Sequence, residues 1–176
     1  NYVNATRMEV ACGEAPYLTS RYDTVTGELI NVKDRIGLLD RKLRIVNEQV
    51  DNEEKWLTWV CKAYKNIYGF EYQGDNLFLA RKNLLLTFVD NMNYKFGRMP
   101  TKKELKRIAV IISWNIWQMD ELTCTVPNCD KEQFYEQLSF FNNDLGKLKC
   151  YFCKIKDWSL RKDNVFEYRT MIGGNN

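Results

Sequence analysis

The run Pro100–Asp120, PTKKELKRIAVIISWNIWQMD, constrains the fold more than any other stretch of this chain. Thr101 and Glu104 stand at the spacing of a capping box, in which each side chain satisfies a free backbone N–H at a helix start. Pro100 marks the break before it. Leu105, Ile108, Ile112, Ile116 and Met119 then recur at helical spacing, while Val110, Trp114 and Trp117 occupy another face. A helix apolar on both faces belongs in an interior. Asn115 and Gln118 lie inside this run. Buried amides need partners, so they either tie core elements together or face a functional cleft.

The segments before it are built to pack against that helix. Asp34–Glu48 carries Ile36, Leu39, Leu43 and Val46 on one stripe, with Arg35, Arg41, Lys42 and Arg44 largely off it. Asp51–Tyr68 carries Trp56, Val60, Tyr64 and Ile67, with Glu53 and Glu54 suited to its positive N-terminal dipole and Gly69 at its end. FEYQGD, 70–75, reads as a tight polar loop. Asp75 or Asn76 caps a long helix to Phe96, marked by Leu77, Leu84, Phe88 and Met92. Gly97 and Pro100 follow at once, so this helix and the next form an antiparallel αα-hairpin.

The two ends of the chain differ from this middle. Arg7–Ala11 reads as a short strand. Tyr17–Tyr22 and Glu28–Val32 flank a turn signal, Asp23–Gly27, and read as a hairpin. After Leu122, Glu132–Phe141 is a short amphipathic segment. Leu148–Ile155 and Val165–Met171 alternate as strands that pair across 157–164. The expected class is mainly α (α+β): a helical core with a central αα-hairpin, an N-terminal β-hairpin and a small C-terminal β piece. Residues 1–122 form the core domain and 123–176 a small appendage, or part of the same domain.

Composition narrows the chemistry. The 176 residues are 45% apolar and 14% aromatic, enough for a sizeable core. Histidine is absent. That removes His general bases, His metal sites and Ser-His-Asp triads. The net charge of +3 is too small for a protein that coats nucleic acid, so local clusters must carry any such role. No signal peptide is evident, and no apolar run approaches the roughly 20 residues of a membrane span. The expectation is a cytoplasmic protein with reduced thiols. The chain lacks an initiating Met and ends in GGNN, so it reads as a piece of a longer protein.

Four constellations could carry chemistry. Cys12-Gly13, in VACGEAPYL, resembles the S-adenosylmethionine turn of amino-methyltransferases. Glu14-Ala15-Pro16 stands where a second glycine is needed, which argues for a structural turn. No Asn/Asp-Pro-Pro-Tyr/Phe quartet, the motif that holds a flipped base amine, is present. Cys124, Cys129, Cys150 and Cys153 could hold zinc as four thiolates. If 149–155 is a strand, though, Cys150 and Cys153 point to opposite faces. Arg81, Lys82, Lys102, Lys103, Lys106 and Arg107 gather about the αα-hairpin, where they are either a solvated face or phosphate contacts. Arg21, Tyr22, Arg35, Arg41 and Arg44 could reach DNA from the loops and first helix. Gln137-Leu138-Ser139-Phe140-Phe141 resembles the pentapeptide that binds the bacterial sliding clamp, with Phe140 in place of the usual Leu.

Several longer runs resemble one family together: MEVACGEAPYLTSRYD (8–23), TVTGELI (24–30), DRIGLLDRKLRIVNE (34–48), YGFEYQGDNLFLAR (68–81) and IISWNIWQMDEL (111–122). The family is the adenine-specific (N6) DNA methyltransferases, or "subunit M", of bacterial restriction–modification systems. The resemblance implies a parent protein that uses S-adenosylmethionine and acts on double-stranded DNA. With no catalytic motif to carry over, this chain is expected to be a non-catalytic region C-terminal to the catalytic domain. It would contribute DNA binding or target recognition, with no cofactor of its own apart from a possible zinc. The alternative is a protein-interaction module that docks a restriction subunit or the sliding clamp through Gln137, Leu138, Phe140 and Phe141.

Overall fold

The computed structural model describes residues 2–129, 152–162 and 164–172. At its centre are three short parallel strands, β1 (Arg7–Glu9), β2 (Ile67–Glu71) and β3 (Ile116–Gln118), with β2 in the middle. Parallel neighbours need long crossover connections. Here each crossover is a helix pair. Helices α1 (Leu38–Gln49) and α2 (Glu53–Lys65) join β1 to β2; α3 (Gly74–Phe96) and α4 (Lys102–Asn115) join β2 to β3. An antiparallel ribbon, β4 (Lys154–Lys156) and β5 (Val165–Glu167), leads into a one-turn helix, α5 (Tyr168–Met171). The fold is mixed α+β and mainly helical, as the sequence implies.

The two faces of β2 explain the layering. Every residue of the strand is buried. Ile67 joins the large core with Leu39, Leu43, Trp56, Val60, Leu84, Phe88, Ile108 and Ile112, supplied by the four helices. Tyr68 and Phe70 point the other way, into a second cluster with Met119, Cys124, Cys153, Ile155 and Tyr168. The C-terminal ribbon therefore lids the second face of the sheet. The Tyr68 hydroxyl donates to the Lys156 carbonyl at 2.8 Å, and the rings of Phe70 and Tyr168 lie 4.6 Å apart.

Three helix boundaries differ from the sequence expectation. The second helix stops at Lys65 and the fourth at Asn115; the chain passes directly into β2 and β3. The segment read as a helix end and polar loop, 67–71, is the central strand. The first helix starts at Leu38, after a 3-10 turn at Val32–Asp34. Gly37 sets that start by close approach. A Cβ there would lie 2.6 Å from the Leu18 carbonyl oxygen, so a larger residue cannot occupy it without displacing backbone. Asp40 then ties the start down, accepting from the N–H groups of Gly37 and Ser20 and from the Thr19 hydroxyl.

The αα-hairpin has the predicted caps at its turn, whereas α3 begins at Gly74 with Gln73 as N-cap, so neither Asp75 nor Asn76 caps it. Gly97 adopts φ +64° at the end of α3, and Thr101 and Glu104 complete their capping box. Arg98 clasps Glu104 and Glu53 together. The second apolar face of α4 is a surface, however. Val110 is 45% exposed, and Trp114 and Trp117 are half-buried, edge to face at 6.0 Å. The expected N-terminal hairpin is reduced to one bridge, Tyr22 to Leu29.

Asn115 is the buried tie its position suggested. Its amide donates to the carbonyls of Tyr64 and Ile67 and accepts from the Trp158 indole. Gln118 is exposed and donates to the Tyr72 carbonyl.

Candidate functional site

In open parallel sheets, ligands bind outside the carboxyl ends of the strands, where the connecting loops diverge. Here β1 ends at Glu9 and runs into a turn with three left-handed residues, Ala11 (φ 55°), Gly13 (φ 53°) and Ala15 (φ 66°). Two alanines held there are uncommon, and something must hold them. The neighbouring strands do so. Cys12 N–H donates to the Phe70 carbonyl at 2.7 Å, Gly13 N–H to Glu71 Oε2 at 2.7 Å, and Ala11 N–H to Glu121 Oε1 at 3.1 Å. Glu71 is the last residue of β2, and its other oxygen accepts from the Gln73 N–H at 3.0 Å. One carboxylate thus joins the loops that leave β1 and β2.

Beside this turn lies a cleft of about 380 Å³, walled by Glu9, Ala11, Cys12, Gly13, Glu14, Pro16, Tyr17, Tyr22 and Thr24. It is lined by carboxylates and aromatic rings. Burial raises the Glu9 carboxyl to about 7, with the Leu18 N–H pulling the other way; its Oε2 is buried without a hydrogen-bond partner. The Cys12 thiol is raised to about 12, first by burial and then by the charges of Glu9 and Glu71. It remains a thiol at neutral pH and is no nucleophile. Tyr22 closes one end by donating to Glu14, whose backbone carbonyl accepts from Asn83 on α3. The cleft has acceptors for hydroxyls and counter-charges for a cation.

The structure separates the cations expected to meet DNA. Arg21 and Arg35 both pair with Asp90, at 2.9 and 2.8 Å, and Arg35 is 4% exposed. Arg44 donates to the Arg35 carbonyl and Arg41 to the Ile36 carbonyl. Arg81 makes two hydrogen bonds to the Ile116 carbonyl. Lys42 is wholly buried, against the expectation of a surface cation, and its ammonium caps the carbonyls of Val3, Ala5 and Asn66. These side chains brace the fold, and Tyr22 is committed to Glu14. Lys82, Lys102, Lys103, Lys106 and Arg107 are exposed and form no ion pair among the described residues.

Of the four cysteines expected at zinc, Cys124 and Cys153 come together. The Cys153 N–H donates to the Cys124 carbonyl, and both thiols are buried and free. Burial pushes Cys153 up to about 11. Cys129 is disulfide-bonded. Cys150 lies outside the described residues, as do Gln137, Leu138, Phe140 and Phe141. Among the described residues no cluster of three metal-ligating side chains occurs, and no helix is long and apolar enough to cross a membrane.

The sequence singled out the Cys12-Gly13 turn but favoured a structural role for it, and it did not single out Glu71, which lay in an apparent loop. Its signal was present as a lone carboxylate closing the apolar run 67–70. No protein-family model, curated protein or solved structure matches this chain.

Proposed function

We propose that this chain is the cofactor-binding part of an S-adenosylmethionine-dependent DNA adenine-N6 methyltransferase of a restriction–modification system. The observation that carries the reading is the joint between Gly13 and Glu71 at the carboxyl ends of adjacent parallel strands. A glycine turn after the first strand and a carboxylate at the end of the second are the elements with which doubly wound sheets hold nucleoside cofactors. On this reading the chain belongs to the catalytic unit, where the sequence suggested a non-catalytic region C-terminal to it. The arginines that suggested DNA-holding loops are occupied within the fold, which favours the cleft over those loops as the ligand site.

The residues fit the cofactor. Glu14 offers an acceptor for ribose hydroxyls or an ammonium group, Tyr17 and Tyr22 offer aromatic faces, and Glu71 holds the glycine turn from behind the cleft. When bound, the cofactor supplies a methyl group on a sulfonium centre. The chain has no motif for the flipped base, so duplex DNA and the base pocket belong to the rest of the same protein. Among the described residues β1 pairs on one side only, leaving the sheet open for a further strand.

Equilibrium dialysis with radiolabelled S-adenosylmethionine tests this. Saturable binding is expected, and Glu14→Gln should weaken it about tenfold or more, since a hydrogen bond to a charged group is worth roughly 1.5–3 kcal/mol. Circular dichroism of the variant checks that it folds. No saturable binding at millimolar cofactor would sink the reading.

A further inference from the structure

Helices α3 and α4 do not close over one another along their whole length. Between Phe78, Arg81, Lys82 and Leu85 on one side and Ala109, Ile112 and Ser113 on the other runs a groove of about 350 Å³. Its lining is apolar side-chain surface with cations at the rim. Phe78 is 67% exposed, a large apolar ring with no cover among the described residues, and Val110 is 45% exposed next to the groove. The wall is rigid, because the Arg81 guanidinium is fixed by two hydrogen bonds, at 3.0 and 2.7 Å, to the Ile116 carbonyl.

Charge decides what fits. Lys102, Lys106, Ala109 and Ser113 follow one line along α4, at the i, i+4, i+7 and i+11 spacing of a single helix face. Lys82 stands on the facing rim. None of these lysines has an ion-pair partner among the described residues, whereas Arg21, Arg35, Lys95, Arg98 and Arg169 all do. The nearest carboxylates are elsewhere engaged or at the end: Glu104 is held by Arg98, and Asp75 lies one turn before Phe78. Two antiparallel helices with an apolar trough between them accept a third helix by ridge-and-groove packing. From Phe78 to Leu85 is about two turns, or roughly 10 Å, which matches anchors at i, i+3 or i+4, and i+7 of an incoming helix.

We infer that the α3–α4 groove docks an amphipathic helix of a partner protein, its apolar face on Phe78, Leu85 and Ala109 and its acidic flanks on Lys82, Lys102 and Lys106. This goes beyond the cofactor reading and does not depend on it, since the groove and the cleft share no residue. Phosphates would use the lysines but would leave the ring of Phe78 uncovered, so a protein helix is the better occupant.

Two synthetic peptides test it, each about 15 residues long, or four helical turns. They carry the same leucines at helical spacing, one with glutamate flanks and one with lysine flanks. Fluorescence anisotropy should give saturable binding of the acidic peptide, at least about tenfold tighter than the basic one, weakening as salt rises. The Lys82→Glu/Lys106→Glu double variant should reverse that preference. Phe78→Asp should abolish binding of the acidic peptide while leaving circular dichroism and S-adenosylmethionine binding unchanged. Equal affinities for the two peptides, no saturable binding of either, or binding that survives Phe78→Asp would each overturn the inference. So would a DNA duplex that binds with the same dependence on Phe78.

Discussion

Asn115 closes a three-way junction with a single amide. Its two N–H donors hold the end of α2 and the start of β2, and its oxygen holds Trp158 of the C-terminal lobe. It is 1% exposed, so no water replaces a lost partner. Asn115→Ala should cost about 2–4 kcal/mol, because two carbonyls and an indole N–H lose their partners in a dry site. Urea denaturation followed by tryptophan fluorescence would measure this, and a cost below about 1 kcal/mol would mean that the junction is solvated. Glu9 is the opposite case, a buried oxygen that no group satisfies. Its folded-state pKa of about 7 lies above the ordinary 4.5, so the folded protein binds this proton more tightly than the unfolded chain. Stability from this residue is present below pH 4.5 and is lost as pH rises toward 7. Melting temperatures from pH 5 to 7.5 should fall more steeply for the native protein than for Glu9→Gln. Asp40, also raised by burial, acts in the same direction and is common to both proteins. Parallel curves would mean that Glu9 is hydrated.

At the scale of elements, the helices and β1 were legible and the other two strands of the sheet were not, for a physical reason. The apolar spacing Trp56, Val60, Tyr64, Ile67 runs without a break from α2 into β2, and Ile108, Ile112, Ile116 runs likewise from α4 into β3. Both junctions keep the same face toward the same core, so the helical period continues past the end of the helix. A strand buried on both faces has no alternation to announce it, and three to five residues are too few to establish a period. The fold class, the αα-hairpin and the C-terminal strand pair could be read because their caps and alternation are local. The cleft was less legible: the glycine turn stood out but read as structural, and Glu71 acquires its role only when β2 lies beside β1. Gly37 illustrates the same limit, since it looked like a weak helix start while the Leu18 backbone that requires it is nineteen positions away in sequence. Gly37→Ala should therefore destabilise the protein by about 2 kcal/mol or more, and because Gly37 is the N-cap of α1, where glycine is preferred to alanine, helix propensity offers no offset. Thermal unfolding measures the loss. A stabilised variant would show that the Leu18 loop yields at no cost.

The whole molecule is organised by β2, which receives the four-helix layer on one face and the C-terminal ribbon on the other. The two clusters are separate lists of side chains, yet Trp158 packs against both and reaches Asn115 at their boundary. Lys156 sits over the rings of Trp114 and Trp158, at 5.1 and 4.5 Å, fastening the same seam from outside. Residues beyond 122 were read as a small appendage or as part of the same domain. The described ones cover Tyr68 and Phe70, which would otherwise face water. Phe70 is 1% exposed and belongs to the second cluster alone. Phe70→Ala should then cost about 3–5 kcal/mol, the range for removing a buried ring. More telling, the loss should appear in a single transition, with near-UV and far-UV circular dichroism curves coinciding. If the ribbon were an independent appendage, the variant would release it first. The tryptophan signal of Trp158 would then change well before the helices melt, and the four-helix layer would keep its original midpoint.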